Sequence, residues 1–421
     1  MESLVLKVGE RIIRSKLLEH FAQYNMISTT QHGFMPGKST VTNLIEYIDS
    51  VTELLEKKGT ADSIYTDFAK CFDRIPHRLL IHKLKRYSIK GPLLNWIKDW
   101  LQNRFQRVCI NGECSLWELI TSSIIQGSVL GPILFVLYSD DIDLFIKKGN
   151  VSKYADDMKI FGSAQSPKAC RSIQQDVDRA VCWAEMWMLS LDLTKCCSIH
   201  FGKDNQEYPY FINGVVLKQL SVQKDLGVLV DKNLNWKQQI MSVIKKANQV
   251  LGRMCRAFIS RDCETWIGIY KTYVRPYLDY AASVWNPHLK SDIKSLESVQ
   301  RRATRQISGI GKLPYEQRLR ICRLESLEER RVRGDMIEVF KCINGCSGLN
   351  PDLLPLVKHN IATRGQTAKN LEQKRANGIR YNSFSIRVAK KWNSVPTSIH
   401  NAVSKNAFKN QYDKWRCDSN D

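Results

Sequence analysis

The chain of 421 residues has no apolar run long enough to cross a bilayer, since its longest, Val129 to Tyr138, is short and broken by Gly131 and Pro132. Its first residues, MESLVLKVGERIIRSK, interrupt a short apolar stretch with charges and do not have the form of a signal peptide. The 13 cysteines are scattered, and Cys196-Cys197 and Cys342…Cys346 come with no second Cys/His pair at zinc-site spacing. A structural metal site is therefore not expected, and reduced thiols in an intracellular, soluble protein of nucleus or cytoplasm are. Internal repeats and low-complexity tracts are absent. So are the steady βα rhythm and the glycine-rich fingerprint of a dinucleotide fold. Acidic side chains are also scarce: 42 Asp and Glu stand against 63 Lys and Arg, a net charge of +21.

What is present begins with the placing of that charge. Residues 1–230 carry 28 basic and 25 acidic side chains, and residues 231–421 carry 35 and 17. The second half is where a polyanion would be held. Hydrophobic content of 43% is enough for a sizeable core, and the length implies two or three domains. Apolar spacing predicts an amphipathic helix over 1–25, then a Gly/Pro loop QHGFMPGKST (31–40) and a helix capped by Ser39 or Thr40 that runs to about Lys58. Ser63 to Thr66 reads as a short buried strand. Pro76 and Pro92 open two helices. Phe105 to Ile110 reads as a strand turning at Asn111-Gly112, and Ser128 to Ile146 as a helix starting at Gly131-Pro132. Val151 to Tyr154 and Met158 to Phe161 read as strands around a turn at Ala155-Asp156-Asp157. A helix over 167–189, strands at 196–201 and 226–230, and a hairpin about Gly214 follow. Beyond Trp236 the pattern is helical to about Ile343. After Asn350 it is polar and basic, with one short helix near Phe384 to Trp392. The fold class expected is α+β, an antiparallel sheet with helices on one face.

Two places put carboxylates at strand ends. Asp67 follows the strand ending at Thr66, and Asp156-Asp157 occupy the turn of YADD-MKIF. Each alone is most often a solvated turn. Together they have the donor type that holds a pair of divalent cations for nucleotide addition. Asp140-Asp141 is a second pair, but it ends a helical run and is rejected; Asp73 lies too far past the strand. Between the two places, Gln126-Gly127 offers a polar side chain and bare backbone, and Gly131-Pro132 starts a helix whose first amides favour an anion.

In order, SIYTDFAKCFDRIPH, IIQGSVLGPILFVLY, KYADDMKIF, LDLTKCCSIHFG and KDLGVLVDKNLNW resemble successive motifs of reverse transcriptases of non-LTR (LINE-type, jockey-like) retrotransposons. QHGFMPGKST upstream and TYVRPYLDYAASVWNPHLKSDIKSLESVQRRATRQI downstream extend the resemblance from about residue 10 to 415. It implies an RNA-directed DNA polymerase with a right-hand fold. That fold would comprise partial fingers (1–60), an antiparallel-sheet palm (61–235), a helical thumb-like region (236–310) and a basic helical C-terminal extension (311–421). Asp67, Asp156 and Asp157 would hold two Mg²⁺ or Mn²⁺ ions, with the Phe68 carbonyl adding a ligand. Phe72 would exclude a ribonucleotide 2′-hydroxyl, Gln126 and Gly127 would line the incoming dNTP, and Lys195 would be the general acid toward pyrophosphate. Tyr154 would pack under the YADD turn, and Leu226-Gly227 would grip the primer end. RNA template and DNA primer would be the partners. Lys245, Lys246, Arg253, Arg256, Arg301, Arg302 and Arg305, with Lys271 and Arg275, are the candidate phosphate contacts, an expectation that comes from charge alone. Two positions depart from the family: Ile125 stands where Pro precedes Gln-Gly, and Cys71 where Ala is favoured. The resemblance also implies a chain truncated within the fingers, lacking an Arg-Pro segment that helps hold the triphosphate and lacking an endonuclease domain. The other readings are a relic that only binds nucleic acid and an RNA-dependent RNA polymerase, against which Phe72 argues.

Overall fold

The structure, a computed structural model, describes residues 4–357 and 369–418. Residues 1–3 of the expected first helix, and 358–368 and 419–421 of the expected extension, lie outside the described residues. By internal packing the chain forms two units, residues 1–39 with 58–220 and residues 40–57 with 221–421.

The first unit is built on a five-stranded sheet. Its order is Lys218–Gln219, Cys197–Phe201, Ala61–Thr66, Asp157–Ser163, Asn150–Tyr154. Every neighbouring pair is antiparallel except the short edge pair of Lys218–Gln219 with Cys197–Phe201. The central strand is buried at all six residues, which is why it reads as a continuous run rather than an alternation. On one face Ile64 and Ile160 are direct partners and join Leu134, Phe135, Trp183 and Val177 in one apolar core. Helices Gly131–Ser139 and Pro167–Met186 supply those side chains. The expected helix to Ile146 instead tightens at Asp140–Leu144 into a 3₁₀ turn, where side chains three apart eclipse and Asp140 and Asp143 both reach Lys153 Nζ, at 3.3 and 2.8 Å. Asn111 and Gly112, at φ 52° and 94°, turn the exposed hairpin of Cys109–Ile110 with Glu113–Cys114. A disulfide joins Cys109 to Cys114 across it, which corrects the expectation of reduced thiols throughout.

The second unit opens on the hairpin Val222–Asp225 with Val228–Asp231 and is otherwise helical. Helix Lys237–Ala257 buries Ile240, Val243, Ala247 and Leu251. Lys290–Arg305 and Leu327–Ile343 follow, the latter started by a capping box between Ser326 and Glu329. The stretch after Asn350, read as poorly periodic, carries more structure than its composition suggested. Helices Phe384–Asn393 and Lys405–Asp418 bury Trp392, Phe408 and Tyr412, and Phe408 stacks on Phe340 at 4.4 Å. Buried Arg380 bonds the Asp49 carbonyl at 2.7 Å and its carboxylate at 3.3 Å, so helix Thr40–Lys58 shares this core.

Candidate active site at the end of the central sheet

Strand register determines where the carboxylates meet. Thr66 pairs with Met158, so the chain passes into Asp67 at the sheet end where Asp157 begins its strand. The hairpin turn there has two residues, Ala155 and Asp156, because Tyr154 pairs directly with Asp157. The three-residue turn read from the sequence is corrected accordingly.

Backbone bonds then bring a third segment to the place. The Asp67 carbonyl accepts from Asp192 N (2.8 Å) and Ala69 N donates to Ser190 O (2.8 Å). This lays the 190–195 loop beside Asp67, and Lys195 Nζ stands 2.9 Å from Asp67 Oδ2. The Cys71 thiol donates to Asp156 Oδ2 at 3.5 Å. Both carboxylates act on the same two neighbours. Burial first, then the charge of Asp156, with a smaller share from Asp67, pushes Cys71 up to about 12, so it stays a thiol. A hydrogen bond from Lys195 to Asp67 and the Asp67 charge hold the ammonium above the ordinary lysine value, with Asp156 adding a little.

Asp67, Asp156 and Lys195 are thus brought together. Asp157 is exposed at the head of its strand, and among the described residues no group of three His, Cys, Asp or Glu side chains is arranged to hold a metal ion. The pair itself fits a divalent cation. Carboxylate oxygens are the donors Mg²⁺ and Mn²⁺ take, with waters and phosphate oxygens completing the shell, and Asp67 already faces a cation in the Lys195 ammonium. That side chain is 59% exposed, so it can withdraw into solvent.

The flank of the site is a loop crossing. Ile124 N donates to the Phe72 carbonyl (2.7 Å) and Ser123 N to Ile75 O (3.0 Å). Gln126 Nε2 then reaches Asp73 Oδ1 at 2.9 Å, which gives Asp73 a role as an anchor for that side chain. Phe72 stacks on Phe135 at 4.7 Å, and exposed Gly127 has φ 83° with open space where a Cβ would be. Phe68 is buried edge-on to Trp183. Tyr154 is half-buried beside the turn.

Two expectations about anions and acids resolve structurally. The first amide of Gly131–Ser139 donates to the Ser128 hydroxyl at 3.0 Å and not to an anion, and a carboxylate is held just ahead of the helix. Buried Glu10 takes Val129 N at 2.6 Å and Leu130 N at 3.1 Å and also receives Trp100 Nε1. Asp140-Asp141, rejected as a metal site, engages Lys153 and Lys83 instead. Lys83 is buried under the ring of Trp187 at 3.7 Å and pushed down to about 8 by that burial.

In the second unit Leu226 and Gly227 form the hairpin tip with φ 44° and 89°, the left-handed pair a two-residue turn demands. Tyr280, which sequence reasoning passed over, donates to Leu226 O at 2.7 Å. On helix Lys237–Ala257, Lys245, Lys246, Arg253 and Arg256 are all exposed. At about 100° per residue they span roughly 100° of the circumference, opposite the buried face. Arg301, Arg302 and Arg305 are exposed on Lys290–Arg305, with Arg301 lying 4.0 Å over Tyr315. Among the described residues no helix is long and apolar enough to cross a membrane.

The family described as reverse transcriptase (RNA-dependent DNA polymerase) matches residues 2–240. The RNA-directed DNA polymerase from mobile element jockey of Drosophila funebris is 30% identical over 320 residues, covering 72% of this chain and 34% of that protein. Its Drosophila melanogaster counterpart is 27% identical over 317 residues, with the same coverage of each. The probable RNA-directed DNA polymerase from transposon X-element of Drosophila melanogaster is 26% identical over 314 residues, again covering 72% and 34%. The chain therefore spans about a third of the length of these relatives. Apo telomerase from Candida tropicalis overlays with a TM-score of 0.44 at 11% identity, over 80% of this chain and 58% of that one.

Proposed function

The chain belongs to the reverse transcriptase family, and from that premise we propose that it is the polymerase portion of a mobile-element RNA-directed DNA polymerase. The observation that carries the reading is the meeting of Asp67 and Asp156 at one sheet end with Lys195 upon them. Asp67 and Asp156 would hold Mg²⁺ or Mn²⁺, with Asp157 and the Phe68 carbonyl joining as substrate binds. The bound ions supply activation of a primer hydroxyl and neutralisation of the triphosphate.

The protein's own groups do the rest. Lys195 leaves Asp67 and presents its ammonium to the departing pyrophosphate, where it can give up a proton. Paired with Asp67, the ammonium is held above the ordinary lysine value and is the charged form that reaches the leaving group. Phe72, braced by Phe135, fills the space a 2′-hydroxyl would take. Gln126, steadied by Asp73, and the bare backbone of Gly127 border the nucleotide, while Tyr154 packs under the turn. Residues 61–235, which carry the central sheet, serve as palm, residues 1–60 as partial fingers, and residues 236–310 as thumb. Leu226-Gly227 supports the primer end, and the basic helices hold the RNA template and DNA primer through phosphates.

Primer extension by the purified chain on poly(rA)/oligo(dT) with dTTP and Mg²⁺ or Mn²⁺ tests this. Extension should be lost by a factor on the order of 10³ in Asp67→Asn and Asp156→Asn, given what removal of one electrostatic group at a reacting centre costs. Binding of the duplex without extension would leave only the nucleic-acid-binding reading.

A further inference from the structure

The turn that presents Asp156 is not self-supporting. Ala155 sits at φ 57°, a left-handed conformation that side-chain-bearing residues occupy only when neighbours impose it. In a two-residue hairpin the ladder engages the flanking residues, so the Ala155 N–H needs an acceptor from elsewhere. It finds Gln31 Oε1 at 3.0 Å, and the same oxygen accepts from Gly33 N at 2.8 Å. Gln31 is wholly buried. Among the described residues its Nε2 has no partner, so the two N–H groups set how the amide points.

The segment carrying Gln31 is itself fixed against the strand that leads into the turn. Lys153 N donates to Thr30 O (3.0 Å) and His32 N to Lys153 O (2.9 Å), pairing Gln31 with Lys153 in parallel. Ser28 and Thr30 hydroxyls both donate to Asp143 Oδ2 at 2.5 Å, and Ser28 N donates to Asp140 Oδ2 at 2.9 Å. The acidic 3₁₀ turn thus holds the loop. Gly33 completes the fit by having no side chain: a Cβ there would lie 2.2 Å from Ala155 N and 2.8 Å from its Cα, backbone atoms that cannot yield.

We infer that Gln31 and Gly33 are positioning residues for Asp156, clamping the Ala155-Asp156 turn in the path that offers the Asp156 carboxylate to a divalent cation; this rests on the reading of Asp156 as a cation ligand. Neither residue touches the cation. Gln31 acts through one hydrogen bond, and Gly33 acts by letting the two backbones meet.

The test is Gln31→Met in the full chain, which keeps the bulk and removes the acceptor, with Gln31→Glu as the variant that keeps it. Two quantities are read: hydrogen exchange of peptides spanning 151–160, and the dissociation constant for Mn²⁺ from electron paramagnetic resonance of the free ion. In Gln31→Met, exchange over 151–160 should quicken while that of 197–201 stays unchanged, and the Mn²⁺ dissociation constant should rise at least about tenfold, the usual cost of losing an outer partner of a metal ligand. Gln31→Glu should restore the exchange protection. Should Gln31→Met not fold, the unaltered chain still decides, since the clamp requires its Ala155 amide to be protected; rapid exchange there overturns the inference. Mn²⁺ affinity and exchange indifferent to Gln31→Met sink the inference alone. Failure of the unaltered chain to bind Mn²⁺ sinks the reading of Asp156 as well.

Discussion

Phe72 is the side chain on which the proposed choice between sugars would turn. Its ring lies at 25° to that of Phe135, centroids 4.7 Å apart, and its carbonyl is tied to Ile124, so stacking holds the ring and the loop crossing holds the backbone beneath it. A fixed ring discriminates by exclusion, and steric discrimination of a small group is worth roughly 10 to 200-fold. Phe72→Ala should therefore raise incorporation of ribonucleotides relative to deoxyribonucleotides by about that range in single-nucleotide extension. Unchanged discrimination would remove the gate and reopen the RNA polymerase reading. At this scale the sequence was legible where a residue's place follows from its own segment. Asp67 and Asp156 stand at strand ends that β-branched runs announce. Gln31 and Glu10 were not legible, because each acts on amides more than a hundred positions away. The clue at Gly131-Pro132 pointed to the wrong amides: Gly131 N is taken by Ser128 Oγ, and Glu10 of the first helix sits on Val129 N and Leu130 N just before the helix.

Among elements, the hairpin Val222–Asp225 with Val228–Asp231 depends on its tip and on one brace. Gly227 lies at φ 89°, where a Cβ would be strained and would come within 3.3 Å of the Tyr280 ring; Tyr280 in turn holds Leu226 O and meets the Thr40 hydroxyl at 3.2 Å. Gly227→Ala should cost about 1–3 kcal/mol, and Tyr280→Phe about 1–2 kcal/mol for the hydroxyl's two contacts, both read as a lower urea midpoint. If the hairpin supports the primer end, both variants should also weaken primer-template binding. Lost stability with unchanged binding would confine the hairpin to a structural role. Strongly periodic helices were readable to within about three residues, as Thr40–Lys58 and Pro167–Met186, read as 167–189, show. Lys405–Asp418 escaped because only Phe408 and Tyr412, four apart, are buried on it, too narrow a stripe to stand out among so many charges. The Cys109–Cys114 bridge escaped because an odd, scattered set of 13 cysteines offers no pairing pattern to read.

For the molecule as a whole the governing quantity is charge, +3 over residues 1–230 and +18 over 231–421. Structure sharpens this asymmetry into a surface, because Lys245, Lys246, Arg253 and Arg256 face away from the buried side of their helix. Cutting the chain at 230 would be a poor test. It would remove Arg380 and Ser385 from buried Asp49 and leave helix Thr40–Lys58 without its core, confounding lost charge with lost fold. Replacing the four basic residues by Gln in the full chain keeps the fold, since all four are exposed. If they contact phosphates, each releases counterions on binding, and each replacement lowers the slope of log affinity against log salt by about 0.7 to 0.9. The fourfold variant should bind an RNA/DNA hybrid more weakly at low salt, with a slope shallower by about 3. Its loss should be equal across unrelated sequences, because phosphate contacts position a duplex without reading it. A slope unchanged by the fourfold replacement would show that this face is only a solvated surface and that the duplex is held elsewhere.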